Sequence, residues 1–232
     1  LLHFFQDKKG IEIGGPTNTE WADRWYSSVM SMDNVDFSPQ TLWGDRGLDQ
    51  VDHTIRGQKF GKVWIREGFD IHGTQNNSYD FVLSSHNLEH YANPLKALLE
   101  WHRVVKPCGH VVLVVPWKQA TFDMNRPDTS IEHLLSEFRA DIPETVLAHI
   151  DETVALHDLK RDGGLQPNTR ENLFDRSVDN FNNRAVHQHI FSFRLLECVG
   201  YLFQMKVRHL EFGAPFHQMA ILQKAGSDAD TC

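Results

Sequence analysis

The chain has 232 residues, 41% of them hydrophobic and 23% charged, with a formal net charge of −8. That length suits one α/β domain carrying an insertion better than two independent domains. No run approaches the roughly 20 apolar residues that span a bilayer, which excludes a membrane helix, and the acidic balance argues against a nucleic-acid backbone as partner. A small-molecule substrate fits better.

Cys108, Cys198 and Cys232 are odd in number and lack CxxC spacing, which points to reduced thiols in a cytoplasmic setting. The chain starts at Leu1 without Met and reaches a glycine loop by Gly14, so we expect an N-terminal segment before it. No secretory signal is visible.

In chain order, GIEIGG at 10–15 is a short apolar strand ending in glycines, and TNTEWADRW after it begins a helix. Apolar stretches at 29–37 and 62–65 predict a second and third strand. YDFVLSS at 79–85 predicts a fourth, continuous enough to be buried on both faces. Asn93 and Pro94 form an N-cap and first-turn pair, opening a helix that stops at a KPCG turn before a fifth strand, HVVLVV at 110–115.

Strands alternating with helices imply a parallel sheet covered on both faces. YLFQMKVRHLEF and PFHQMAILQK are too close in sequence for a parallel crossover, so the last pair must be an antiparallel hairpin. Between these parts, residues 118–190 form a charged helical insertion with 13 Asp or Glu against 8 Lys or Arg. Thr129 and Glu132 have capping-box spacing ahead of an Ile131, Leu134, Leu135, Phe138 stripe. Leu147, Ile150 and Val154 mark a second helix, and RDGGLQPNTREN reads as a loop.

Glycines after a first strand let a ligand approach the backbone, and the following helix N-terminus favours a negative group. A dinucleotide fingerprint would need glycine at 14, 16 and 19, whereas the chain has Gly14, Pro16 and Thr19. A nicotinamide oxidoreductase is therefore disfavoured.

EIGGP, with Glu12, Gly14, Gly15 and Pro16, resembles the first motif of class I S-adenosylmethionine-dependent methyltransferases, in a GGP-loop variant of the type 11-like domain. Pro16 and Asn18 replace further glycines of the commoner motif. NVDFSPQTL resembles the second, with Asp36 placed to accept both ribose hydroxyls, Phe37 against adenine and Asp33 as the fallback acid. EGFD…YDFVLSSHNLEH resembles the next two, with Glu67 toward the adenine amino group, Phe69 on the ring, and Ser85, His86 and His90 after the fourth strand. HRVVKPCGHVVLVVPW completes the series, with PCG for the usual PGG.

The resemblance implies a Rossmann-like, seven-stranded, mostly parallel sheet ending in the antiparallel hairpin, with a helical insertion after strand five. Residues 1–117 and 191–232 would form the core, and 118–190 a substrate lid. It implies S-adenosyl-L-methionine as cofactor and in-line methyl transfer to a small-molecule or biosynthetic acceptor. The rival is a methyltransferase-like module that binds cofactor or partner without catalysis. Neither the acceptor nor the oligomeric state is written in the motifs.

Of 14 histidines, the insertion holds His133, His149, His157, His187 and His189. A histidine beside the methyl could serve as general base, and His86 and His189 are the expected pair there, joined by His133 or His149. His157 continues an apolar stripe and should face the core. No metal site is assigned, a hydrogen-bonded role being commoner for such residues, and His3, His53, His72 and His217 are left as surface or structural.

Overall fold

The computed structural model describes residues 1–17, 20–45, 47–227 and 232. Asn18 and Thr19 of the glycine loop lie outside the described residues. Each apolar run becomes a strand whose alternate side chains enter opposite layers. On β1 (Lys9–Ile13), Ile11 and Ile13 face one layer, while Met32 of β2 (Ser31–Asp36) faces the other; the short helix α1 (Glu20–Tyr26) joins these strands.

A small ladder of β3 (Gln40–Thr41) and β4 (Gly44–Asp45) precedes β5 (Asp52–Ile55) and β6 (Gln58–Ile65), then β7 (Tyr79–Ser85). Asn93 caps α2 (Pro94–Val104) by accepting from the Lys96 N–H at 3.1 Å, as the Asn-Pro pair predicts. β8 (Val105–Pro116) absorbs the expected KPCG turn. Cys108, with φ 62, takes the left-handed conformation that favours glycine, and so kinks the strand without ending it.

The insertion holds α3 (Ile131–Arg139), α4 (Ile150–Leu156), α5 (Arg170–Val178) and the single turn α6 (Asn180–Asn183). Ser130, not Thr129, caps α3 by accepting from His133 N–H, while the Thr129 hydroxyl accepts from Ile190 N–H at 2.9 Å and ties the insertion to its exit. Thr169 caps α5, so the predicted loop ends in a helix start. The chain closes with α7 (Phe193–Leu202), β9 (Met205–Gly213) and β10 (His217–Lys224).

The sheet has eight strands in the order β5-β6-β2-β1-β7-β8-β10-β9. β6, β2, β1, β7 and β8 run parallel, and β10 lies antiparallel between β8 and β9. The expected seven strands and terminal hairpin are present. The eighth, β5, folds back antiparallel on β6 at the edge, and its DHTI carries too little apolar pattern to announce a strand. One core layer packs Ile13, Val82, Leu95, Trp101 and Leu113 beneath α2 and α7; the other packs Phe5, Trp25, Phe81, Leu83 and Val112. Each such side chain contributes on the order of 1.5–3 kcal/mol by burial.

The cysteine expectation is corrected. Cys108 and Cys232 form a disulfide across 124 residues, leaving Cys198 free. Local spacing carries no trace of a pair that the fold brings together. Among the described residues no helix is long and apolar enough to cross a membrane.

Candidate active site

β2 and β7 flank β1 on opposite sides, so strand order reverses there, and parallel sheets bind ligands outside the carboxyl ends of the strands at such a point. A cavity of about 430 Å³ opens at that place. Ile13, Gly14, Pro16 and Thr17 line it from the end of β1 and the turn after it, Val35, Asp36 and Phe37 from β2, Glu67 and Gly68 from beyond β6, and Ser85, His86 and Asn87 from β7. Phe216 and His217 approach from the hairpin, and Trp43, His90, Tyr91 and Arg184 complete the wall.

The glycine turn is built from behind. Glu12 does not line the cavity; its carboxylate accepts from the Thr17 N–H at 3.0 Å, the Thr17 hydroxyl at 2.6 Å and the Tyr26 hydroxyl at 2.8 Å, fixing the loop's return. Burial and the neighbouring Glu12 push the Tyr26 hydroxyl far above its ordinary range, so it stays a donor. Gly15 is buried, and a Cβ there would fall 2.2 Å from the Glu12 carboxylate. Gly14, with φ +77, faces the cavity, and a Cβ on it would meet Asn87 Nδ2 at 2.5 Å.

Asp36 is buried at the end of β2 and accepts from the Phe37 N–H at 2.9 Å. Asp33, the fallback, is excluded from the site: its carboxylate takes the Tyr79 hydroxyl at 2.8 Å and the Lys62 N–H at 2.8 Å. Phe69 does not line the cavity either. It packs edge-on to Tyr91 beneath the Lys96 ammonium, turned away at the bend after Gly68.

Arg184 was not anticipated, yet it organises one end of the site. Its guanidinium bridges Glu67 Oε1 at 2.8 Å and Glu144 Oε2 at 2.9 Å, and lies 4.9 Å over the Phe37 ring. Its backbone is left-handed at φ 51, just after α6. The insertion thus reaches the cavity through one residue, which no local motif marks.

His86 also has a left-handed backbone, φ 48, at the turn leaving β7. Its Nε2 shares a hydrogen bond with His217 Nδ1 at 2.7 Å, and its Nδ1 lies 3.7 Å from Glu89 Oε1. Burial, then the His217 and His187 rings, hold His86 at about 3, so the imidazole is neutral at ordinary pH. Burial raises the fully buried Glu89 carboxyl to about 7. His217, expected to be surface or structural, lines the cavity beside His86. The sequence sign was its place at the start of a strand pairing with β8 beside the end of β7.

His189 is a correction. It does not line the cavity but lies behind Tyr91, where its Nδ1 meets the Tyr91 carbonyl at 3.1 Å and its Nε2 the Glu137 carboxylate at 2.7 Å. His133 and His149 join it there, both directed at Glu137. The insertion histidines do converge, but on a carboxylate and not on the cavity. His187 pairs with Asp123 at 2.5 Å, and the core-facing His157 with Asp162 at 3.1 Å.

The cavity fits S-adenosylmethionine on the structure's own terms. Its volume lies within the roughly 300–1,000 Å³ usual for cofactor sites. Gly14 leaves open a backbone approach that a side chain would block, and the buried Glu67 Oε2 has no hydrogen-bond partner among the described residues.

An open, mostly parallel sheet with this cavity at its reversal point, a glycine turn after the first strand and an acid ending the second defines a nucleoside-binding Rossmann-like enzyme. The family model "Methyltransferase domain" matches residues 14–113, and over that stretch the chain carries an S-adenosylmethionine-dependent methyltransferase domain. Its fold resembles that of an S-adenosylmethionine-dependent methyltransferase from Methanosarcina mazei, with TM-score 0.54 and 13% identity over 97% of this chain and 96% of that one. A Rhodobacter sphaeroides protein described with the Zn-dependent alcohol dehydrogenases gives 0.53 and 13% over 96% and 86%. A protein described with conversion of a disulfide into a thioacetal during echinomycin biosynthesis gives 0.51 and 11% over 97% and 78%. At such identities the likeness shows the fold alone. Comparison with curated proteins gave no match.

Proposed function

We propose that the protein methylates a small molecule with an apolar body and one hydroxyl, thiol or amine, held between the His86–His217 pair and the aromatic wall of Trp43 and Phe216. The observation that carries this reading is the pair itself: two hydrogen-bonded imidazoles on the same cavity as Asp36 and Glu67. The cofactor supplies a methyl group made electrophilic by its sulfonium.

Asp36 suits the ribose hydroxyls, since one carboxylate accepts from both. Glu67, held by Arg184, suits an amino donor on adenine. Phe37 offers a face to the base, and Gly14, Pro16 and Ser85 stand toward the methionine portion. At the far end, the neutral His86–His217 pair orients the acceptor and takes up its proton as the new bond forms. Glu89, 3.7 Å from His86, is placed to stabilise the imidazolium that results. Residues 118–190 serve as a substrate lid, a reading supported by the reach of Arg184 from Glu144 to Glu67 at the cavity. The cytoplasmic setting loses the support it drew from free thiols, because Cys108 and Cys232 are joined.

Calorimetric titration tests the reading. S-adenosylmethionine or its demethylated product should bind at one site per chain while NAD gives no heat. A crystal structure with the demethylated product should put its sulfur beside His86 and His217. Equal NAD binding, or a sulfur remote from both rings, would overturn it.

A further inference from the structure

The strongest feature that the cavity leaves unused is the cluster behind it. His133 and Glu137 lie one turn apart on α3, His149 is the residue preceding α4, and His189 stands on the extended segment leading to α7. Three imidazole Nε2 atoms point at one carboxylate, at 3.2 Å from His133, 2.8 Å from His149 and 2.7 Å from His189. The four ligand atoms lie within 4.8 Å of one another, and Glu137, His149 and His189 are buried. From this geometry we infer that His133, Glu137, His149 and His189 form a binding site for a divalent first-row cation, best suited to zinc.

The hydrogen-bond arrangement favours a cation over a set of shared protons. His189 Nδ1 faces the Tyr91 carbonyl at 3.1 Å, an acceptor only, so this nitrogen must carry the hydrogen of a neutral ring. Its Nε2 then presents a lone pair to the Glu137 carboxylate, which also offers only lone pairs. A metal ion between them accepts from both. The carbonyl behind the ring is the outer partner that metal-bound histidines ordinarily have, fixing tautomer and ring plane.

Three imidazoles and one carboxylate fill the tetrahedral shell zinc prefers, at metal bonds of about 2.0–2.2 Å, and leave no place for a substrate. The role is therefore structural. The ligands come from α3, from the residue before α4 and from the segment whose His189 N–H donates to the Glu89 carbonyl at 3.2 Å. A cation here would clamp the insertion to the segment 89–91, which forms part of the cavity wall. The site stands independently of the acceptor proposed above.

The test is metal analysis of tag-free full-length protein, then titration of the chelator-treated protein with Zn²⁺ and Co²⁺. We expect near-stoichiometric uptake, tetrahedral d–d absorption from the cobalt form, and a lower melting temperature after chelation that Zn²⁺ restores. Glu137→Gln and His189→Ala should weaken Co²⁺ binding at least about 100-fold, the upper end of the loss from an outer-shell change alone. His72→Ala, at an exposed position, should leave it unchanged. Wild-type protein that stays folded after chelation and takes up neither ion at millimolar concentration would overturn the site, whatever the variants do. So would metal retained by both ligand variants. Loss of the ion with undiminished binding of the demethylated cofactor would separate this result from the fate of the methyltransferase reading.

Discussion

Two groups of histidines, one on each side of Tyr91, are made from the same side chain and put to different use. His86 and His217 face the cavity and share a hydrogen bond at 2.7 Å, with Glu89 Oε1 3.7 Å from His86. Burial, then the His217 and His187 rings, keep His86 neutral. His133, His149 and His189 converge on Glu137, their Nε2 atoms 3.2, 2.8 and 2.7 Å from its carboxylate. Imidazole chemistry is set by what stands opposite each nitrogen. The first group is suited to receive a proton, and the second to share one ligand.

That contrast predicts a large catalytic effect on one side only. His86→Ala and His217→Ala should each lower kcat by about 10²–10⁴ while leaving cofactor affinity within a factor of a few. Steady-state kinetics beside calorimetry would check the split, and an equal loss in both would assign the pair to binding. Removing the acid at the other end of the cavity should do the reverse. Asp36→Ala should cost roughly 1.5–3 kcal/mol of cofactor affinity through lost charge-assisted bonds. An unchanged titration would detach Asp36 from the ribose.

Gly14→Ala should act through the backbone. A left-handed alanine costs about 1–2 kcal/mol, and its Cβ would press on Asn87, so melting temperature and cofactor affinity should fall together. A stable variant with full affinity would show that the turn needs no glycine.

A further expectation concerns pH. His86 is held below its ordinary value of 6.5 in the folded protein, so the unfolded chain binds a proton first. Its contribution to stability is present above about pH 6.5 and lost as pH falls toward 3. His86→Asn should flatten that part of the curve in denaturant titrations. A steeper fall would reverse the sign assigned to the burial.

The sheet was legible where strands were buried on both faces, because YDFVLSS and HVVLVV carry unbroken apolar runs that few other structures require. The cavity positions of Gly14 and Asp36 were legible for a similar reason: both sit at strand ends, where sequence position fixes spatial position. Arg184 and His217 escaped because each reaches the cavity through contacts with residues far away in sequence, as with Glu144 behind Arg184, and Cys108–Cys232 escaped for the same reason. Phe69 and His189 were misplaced by about the width of one wall, since spacing locates a segment but not the direction its side chain takes. In the insertion, the apolar stripe located α3, but Ser130 and Thr129 exchanged the roles that a one-residue shift in the cap would give them.

The two margins of the sheet are also alike in what they carry. At one, β5 offers Asp52, held between Lys59 at 2.9 Å and Lys62 at 2.8 Å; at the other, β9 displays Lys206, Arg208 and the pair His209 and Glu211. An unpaired strand edge is a template on which another chain can polymerise, and charges along it oppose that growth because adding a strand would strip them of water. The sheet is thus closed to extension by charge at both ends, which disfavours the edge-to-edge aggregation that eight strands of this length would otherwise invite.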